Sequence, residues 1–551
     1  MKLSFYQFLL VLSIILPAKS QAQLISKNEY THADSLRGSL SPLRSCYDIN
    51  FYHLDVKFNI NQKYISGSNE FRFTAVEAFN KLQFDLFENL LIDKILFHGK
   101  PINFLREGNA VFVTFPDIIK KGNKEIFTVF YSGNPIVTEK APRFGGVVFS
   151  KDSLGNPFVA TACEASGASI WWPNKDHLSD EVDSMLISVR VPNGLKDISN
   201  GRLRKVVDLR NGYTRFDWFV STPINNYNVA VNIGKYVHFD DKYNGHNGEL
   251  TLDFWMLPYN VKKGKLQFES NVKPMLMAYE HWFGPYPFYK DGYKLVETPY
   301  PAMEHQSAIS YGGYMKNGPP NELIGETGGV KWDFIILHES AHEWFGNSIT
   351  AKDFADLWIH EAFGSYAESL FIEYRYGKQK GLEYLQRQRS GISNEAPIVA
   401  PYGVNQMGSG DMYSKGATLL NMIRTIVNDD QKWRGILNGI NKNFYHQTVT
   451  YEQVVNYFSI QSGKNLAPVF DQYLKFRELP VLEFANKDGR LSCRWIANAN
   501  GFNMPVKVKV NDGEYQWISP LDKFINVNIP GASIDNIKVD ILNFYIGVAV
   551  N

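Results

Sequence analysis

Cysteine is scarce. Cys46, Cys163 and Cys493 are the three in 551 residues, so at most one bridge can form and no CxxC pair exists. That excludes a disulfide-stapled scaffold, and three unpaired or buried thiols are expected. An excess of either charge is also lacking. Lys and Arg total 57 against 56 Asp and Glu, without the basic surplus that a nucleic-acid binder carries, so no nucleic-acid partner is expected. Past the extreme N-terminus no stretch approaches 18 uninterrupted apolar residues, so no membrane span is expected in the mature chain. Internal repeats and low-complexity linkers are missing too.

What is present is the composition of a soluble globular protein, 44% hydrophobic and 21% charged. The length implies roughly three to five domains at about 100–200 residues each. Residues 1–22 read as an export leader: Lys2, an apolar run from Phe8 to Leu16, and small residues at Ser20 and Ala22. Cleavage is expected after Ala22, leaving the mature chain periplasmic or extracellular. No cysteine stands at the cleavage point for acylation.

Three periodicities follow. In the first region, from 23 to 245, Leu54, Val56, Phe58 and Ile60 alternate with polar residues, as do Leu82, Phe84 and Leu86, which predicts half-buried strands of a sandwich. From 246 to 480 the pattern turns helical. Helices are predicted near Trp332–Phe345, from Glu361 to Tyr376 with Gly377 as the stop, and from Tyr413 through Ile423. From 481 to 551 alternation returns at Val506, Val508 and Val510, and at Ile537, Val539 and Ile541. The fold class predicted is therefore α+β multidomain: an N-terminal β-sandwich-like domain, a mainly helical domain and a small C-terminal β domain.

The chemistry lies in the helical region. His338-Glu339-Ser340-Ala341-His342 is an HExxH motif, and i, i+4 spacing puts both imidazoles on one helical face where they reach one Zn²⁺. Glu339 beside them is a candidate base. Catalytic zinc commonly takes three protein ligands, and Glu361, at the start of the next predicted helix, completes a His₂Glu set. The motif alone does not exclude a helix carrying two ordinary histidines. Glu361 alone could be a first-turn carboxylate favoured by the helix dipole, and His360 is a rival ligand.

At these residues the sequence resembles the aminopeptidase N family of zinc metallopeptidases, whose hallmark is HExxH, eighteen residues, then Glu; His338 to Glu361 shows that gap. His342-Glu343-Trp344-Phe345-Gly346-Asn347 is similar to the family's H-x-W-F-G-N. Asp356 to Phe363 is similar to D-x-W-L-N-E-G-F, with His360 for Asn and Ala362 for Gly. Phe283-Gly284-Pro285-Tyr286-Pro287-Phe288 resembles the segment that leads to the family's exopeptidase motif.

The resemblance, over roughly residues 45–480, implies a thermolysin-like catalytic domain with one zinc per chain and His338, His342 and Glu361 as ligands. Pro301-Ala302-Met303-Glu304-His305 stands where the family has G-[AG]-M-E-N. It implies substrate binding by Ala302, Met303 and Glu304, with Glu304 holding a free ammonium; Pro301 forfeits a backbone donor, and His305 replaces Asn. Cys163-Glu164-Ala165 resembles the segment that carries a second carboxylate or amide to that ammonium, which implicates Glu164. Tyr413-Ser414-Lys415-Gly416-Ala417 resembles Y-x-K-G-A, which implies Tyr413 as oxyanion donor and Glu339 as catalytic base. The large helical C-terminal domain of many relatives is not expected. The implied activity is an exported aminopeptidase acting on peptides with a free N-terminus. The rival readings are a zinc endopeptidase of the same chemistry and an inactive peptide-binding relative.

Overall fold

The computed structural model describes residues 30–551 apart from 165, 313–323, 328–329 and 488. The expected leader at 1–22 lies outside the described residues.

Alternating apolar residues build the N-terminal part as two facing sheets. The central strand Tyr47–Asn59 pairs antiparallel with Tyr64–Ala75 and parallel with Ser184–Pro192, within an eight-stranded sheet. A three-stranded sheet contains Phe79–Asp85 and Ala110–Ile119. An aromatic layer fills the space between them: Phe71 stacks on Phe127 at 4.4 Å and packs against Phe84 of the second sheet at 5.4 Å. A smaller four-stranded sheet includes Pro157–Ala162, whose C-terminal end delivers Cys163 and Glu164.

The middle region opens on a five-stranded sheet. Its strands, in spatial order, are Val237–Gly245, Gly248–Met256, Tyr293–Thr298, Ile309–Gly312 and, at the edge, Ala302–Met303. The sheet thus begins ahead of residue 246, because its first two strands pair as a hairpin through Gly245 and Gly248. Helices Val261–Phe283, Phe334–Ala341, Trp358–Tyr376, Lys378–Arg389, Ser414–Val427, Asp430–Asn443, Tyr451–Ser462 and Ala467–Lys475 complete it.

The motif helix is shorter than its sequence pattern suggests. Trp332 belongs to strand Val330–Asp333, and Asp333 caps the helix by accepting the Ile336 N–H at 3.0 Å. At the other end Trp344 and Phe345 both turn back onto the Ala341 carbonyl, at 3.1 Å each, which buries both rings. Helix Trp358–Tyr376 starts three residues before Glu361 and stops at Gly377, as expected. The third starts at Ser414 and continues to Val427.

Residues 481–551 fold as two small sheets, of four and three strands, around Trp495, Phe502, Met504 and Phe544. All three cysteines are free and buried. Among the described residues no helix is long and apolar enough to cross a membrane.

Candidate active site

His338 and His342 leave the motif helix on the side facing helix Trp358–Tyr376, where Glu361 occupies the first turn. The helices approach closely because residue 364 is glycine: a Cβ there would lie 3.1 Å from His342 Cε1. Three atoms converge. His338 Nε2 and His342 Nε2 are 3.3 Å apart, and Glu361 Oε2 is 3.4 Å from the first and 3.7 Å from the second. Ligand–ligand edges of a tetrahedral zinc site with bonds of about 2.0–2.1 Å are about 3.3–3.4 Å.

The hydrogen bonds behind these atoms leave their lone pairs for a cation. Glu368 can only accept, so His338 donates Nδ1–H to its Oε1 at 2.7 Å. His342 donates Nδ1–H to the Phe345 carbonyl at 3.0 Å. Both Nε2 atoms therefore present lone pairs to the shared point. Glu361 Oε2 is buried with no hydrogen-bond partner among the described residues, a costly arrangement unless something positive sits beside it. Against burial, the neighbouring Glu361 and Glu368 carboxylates push His338 well above the imidazole range, so the centre draws positive charge. Against burial, His342 and then His338 hold Glu361 below the carboxylate range. These residues fit a zinc ion.

Glu368 was not singled out by sequence, yet it is fully buried and also accepts from Gln388 Nε2 at 3.0 Å and from Tyr384 OH. Its signal is its spacing. It stands seven residues after Glu361, two turns along one helix, as a carboxylate in a run of buried residues.

Glu339 is half-buried next to His338; burial, with Glu304 and Glu361 adding to it, pushes its carboxyl up to about 8. The Tyr413 ring stacks near His338, with centroids 6.0 Å apart, and the residue is 40% exposed. Glu361 first and burial second hold the Tyr413 hydroxyl in its protonated, donating form. The turn bearing Tyr413 is anchored by Lys415, whose Nζ donates to the Phe476 and Arg477 carbonyls at 3.2 and 3.3 Å.

Glu304 follows the edge strand Ala302–Met303, which pairs with Ser310 and Tyr311. Both strand residues are buried. The Glu304 backbone is held by a relay of amides that sequence reasoning had not linked. Asn347 Nδ2 donates to the Glu304 carbonyl at 2.8 Å, and Asn228 Nδ2 donates to Asn347 Oδ1 at 2.8 Å. Glu304 is buried and its Oε1 has no partner among the described residues. A Glu164 oxygen lies within 4.8 Å of a Glu304 oxygen. Burial and then Glu304 push Glu164 well above the carboxylate range, and burial raises Glu304 too. Two carboxylates this close, Glu304 buried and Glu164 half-buried, repel unless a proton or a cation joins them. His360 is not a ligand to the His338–His342–Glu361 centre, because its Nε2 accepts the Ala351 N–H at 2.8 Å. His305 is buried against Ser310, its Nδ1 3.2 Å from the hydroxyl.

Comparison with known proteins bears on this geometry. Residues 266–473 match the Peptidase family M1 domain. The chain is 25% identical over 480 residues to a leucyl aminopeptidase of Saccharolobus solfataricus, covering 82% of this chain and 57% of that one. It is 24% identical to rabbit (Oryctolagus cuniculus) aminopeptidase N over 56% of this chain and 34% of the relative. The chain thus spans about half or less of the length of these curated relatives. Among solved structures, an M1 zinc metallopeptidase of Deinococcus radiodurans bound to a Tyr-Ser-Ala substrate superimposes with a TM-score of 0.67 at 20% identity, covering 81% of this chain and 98% of that one. That likeness establishes the fold.

Proposed function

The catalytic region, residues 266–473, belongs to peptidase family M1, and on that premise we propose that the protein is a zinc aminopeptidase that removes N-terminal residues from peptides. The observation that carries the reading is the pairing of two features. A three-atom metal site accompanies a close pair of carboxylates, half-buried Glu164 and buried Glu304, and Glu304 Oε1 has no partner among the described residues. A peptide's terminal ammonium supplies that partner, and it fixes the scissile bond one residue from the N-terminus.

Zinc held by His338, His342 and Glu361 supplies Lewis acidity toward the scissile carbonyl and the attacking water. Glu339 takes the proton from that water and passes it to the leaving amine. The Tyr413 hydroxyl donates to the oxygen on which charge develops; one such donor typically contributes about 2.7–4 kcal/mol. Glu304 and Glu164 bind the ammonium by charge-assisted hydrogen bonds. The edge strand Ala302–Met303 lies alongside, where the substrate backbone enters.

The proposal includes export through the leader at 1–22, read from its charged start, apolar run and small residues; an intact mass beginning at Gln23 checks it. The catalytic reading is tested with residues 23–551 and aminoacyl fluorogenic substrates, with and without a chelator. The expected result is about one zinc per chain and cleavage of free substrates that chelation abolishes and zinc restores. Cleavage of blocked peptides at internal bonds would assign an endopeptidase instead. Metal binding with no cleavage of any peptide would assign an inactive peptide binder.

A further inference from the structure

Resting on the ammonium site just proposed, we infer that His360 is a positioning residue for it: its Nδ1 hydrogen is directed to the Glu164–Glu304 carboxylate pair and holds that pair open for a single substrate ammonium.

The inference follows from the tautomer. His360 is fully buried in the first turn of helix Trp358–Tyr376. Its Nε2 receives the Ala351 N–H at 2.8 Å. A backbone amide can only donate, so Nε2 carries a lone pair. An imidazole with one accepting nitrogen carries its proton on the other, which fixes the hydrogen on Nδ1. Nδ1 is buried and has no partner among the described residues. A buried donor left unpaired is costly, so the folded enzyme has an acceptor for it.

The surroundings offer one. A ring nitrogen of His360, a Glu164 oxygen and a Glu304 oxygen lie within 4.8 Å of one another. Nε2 is committed to Ala351, so the Nδ1 hydrogen is the one the ring has to offer that pair. Glu304 Oε1 is itself buried and without a partner among the described residues. The same three residues have the spacing of a second metal site, but the tautomer argues against it, because a protonated Nδ1 has no lone pair for a cation. A hydrogen bond from Nδ1 to a carboxylate favours its ionised form and offsets the repulsion between the two glutamates. The pair then meets the incoming ammonium charged, rather than sharing a proton that the amine would have to displace.

Two substitutions separate this role from the packing of His360. An asparagine places its amide nitrogen near the Nδ1 position but does not reach Ala351. A glutamine reaches toward Ala351 but leaves the Nδ1 position without a donor. In H360Q the KM for free aminoacyl substrates is expected to rise about tenfold, with kcat within about twofold. Calorimetry with L-leucinamide on the zinc-free protein is expected to show the same loss of affinity. In H360N, KM is expected to stay within about twofold while the melting temperature falls. Wild-type affinity for L-leucinamide in H360Q, or an equal loss in H360N and H360Q, would overturn the inference. N-acetyl-L-leucinamide is the control. If wild-type protein binds it as tightly as L-leucinamide, the ammonium site fails and this inference with it; if wild-type protein discriminates and H360Q discriminates equally, only the role of His360 fails.

Discussion

His338 donates Nδ1–H to Glu368 Oε1 across 2.7 Å, and both side chains are buried. That one bond sets which nitrogen of His338 faces the metal site and how the ring is turned. A carboxylate behind a metal-binding imidazole typically changes metal affinity by about 10–100-fold. Glu368→Gln is therefore expected to raise the zinc dissociation constant by that factor in a competitive chelator titration, with the fold retained by circular dichroism. Unchanged zinc affinity would remove Glu368 from the metal site.

Glu339 is the candidate base. Glu339→Gln keeps the shape of the side chain and its hydrogen-bonding reach, so zinc content and KM are expected to stay near wild type. The kcat is expected to fall by about 10²–10⁴, the usual contribution of proton transfer by a positioned group. A loss of less than tenfold would move the proton transfer elsewhere.

Gly416 marks where helix Ser414–Val427 crosses helix Trp358–Tyr376. A Cβ there would lie 2.5 Å from the Cβ of Ala362, the neighbour of Glu361. Gly416→Ala forces the helices apart, at a cost of about 1–3 kcal/mol typical of overpacking. Denaturant unfolding is expected to show that loss, and the zinc titration a weaker site. A more stable variant, as the helix propensity of alanine alone would give, would contradict the close approach.

Glu297 gives a pH test away from the metal. Its carboxylate accepts from Leu257 N–H at 2.8 Å and Asn260 Nδ2 at 2.6 Å, and burial pushes its carboxyl up to about 7 from an ordinary 4.5. Between those values the unfolded chain releases a proton that the folded chain keeps. The stability tied to this group is full below 4.5 and is lost as pH rises through 7, at up to about 1.4 kcal/mol per pH unit. Glu297→Gln removes the titration, so its melting temperature relative to wild type is expected to be higher at pH 8 than at pH 5. A difference that does not vary with pH would show that Glu297 ionises freely in the fold.

The metal site was legible because its ligands are local in sequence. His338 and His342 share one helical face, and Glu361 follows at a spacing that motif matching detects. The strands were legible from alternation, as at Leu54, Val56 and Phe58. Less legible were groups brought in by the fold. The amides of Asn228 and Asn347 meet across 119 residues of sequence to hold Glu304, and no local pattern records that. Glu368 hid because a buried glutamate two turns along a helix looks like any solvated one. The ends of the motif helix were misplaced for a similar reason. The Asp333 cap and the burial of Trp344 and Phe345 ended a helix that the apolar run alone would have continued. His360 showed in the sequence only as a departure from a pattern; its tautomer needed the Ala351 N–H to be read.

The central claim is that the Glu164–Glu304 carboxylate pair selects a free N-terminus beside the zinc centre. The most direct measurement is the ratio of kcat/KM for a free aminoacyl substrate to that for its N-acetylated form, in wild-type protein and in Glu304→Gln. The account predicts a wild-type ratio of roughly 10³ or more, since an acetylated amine leaves buried charge unpaired, and a ratio reduced by about tenfold or more in the variant. Equal turnover of the two substrates by the wild-type enzyme, or a ratio untouched by Glu304→Gln, would contradict it.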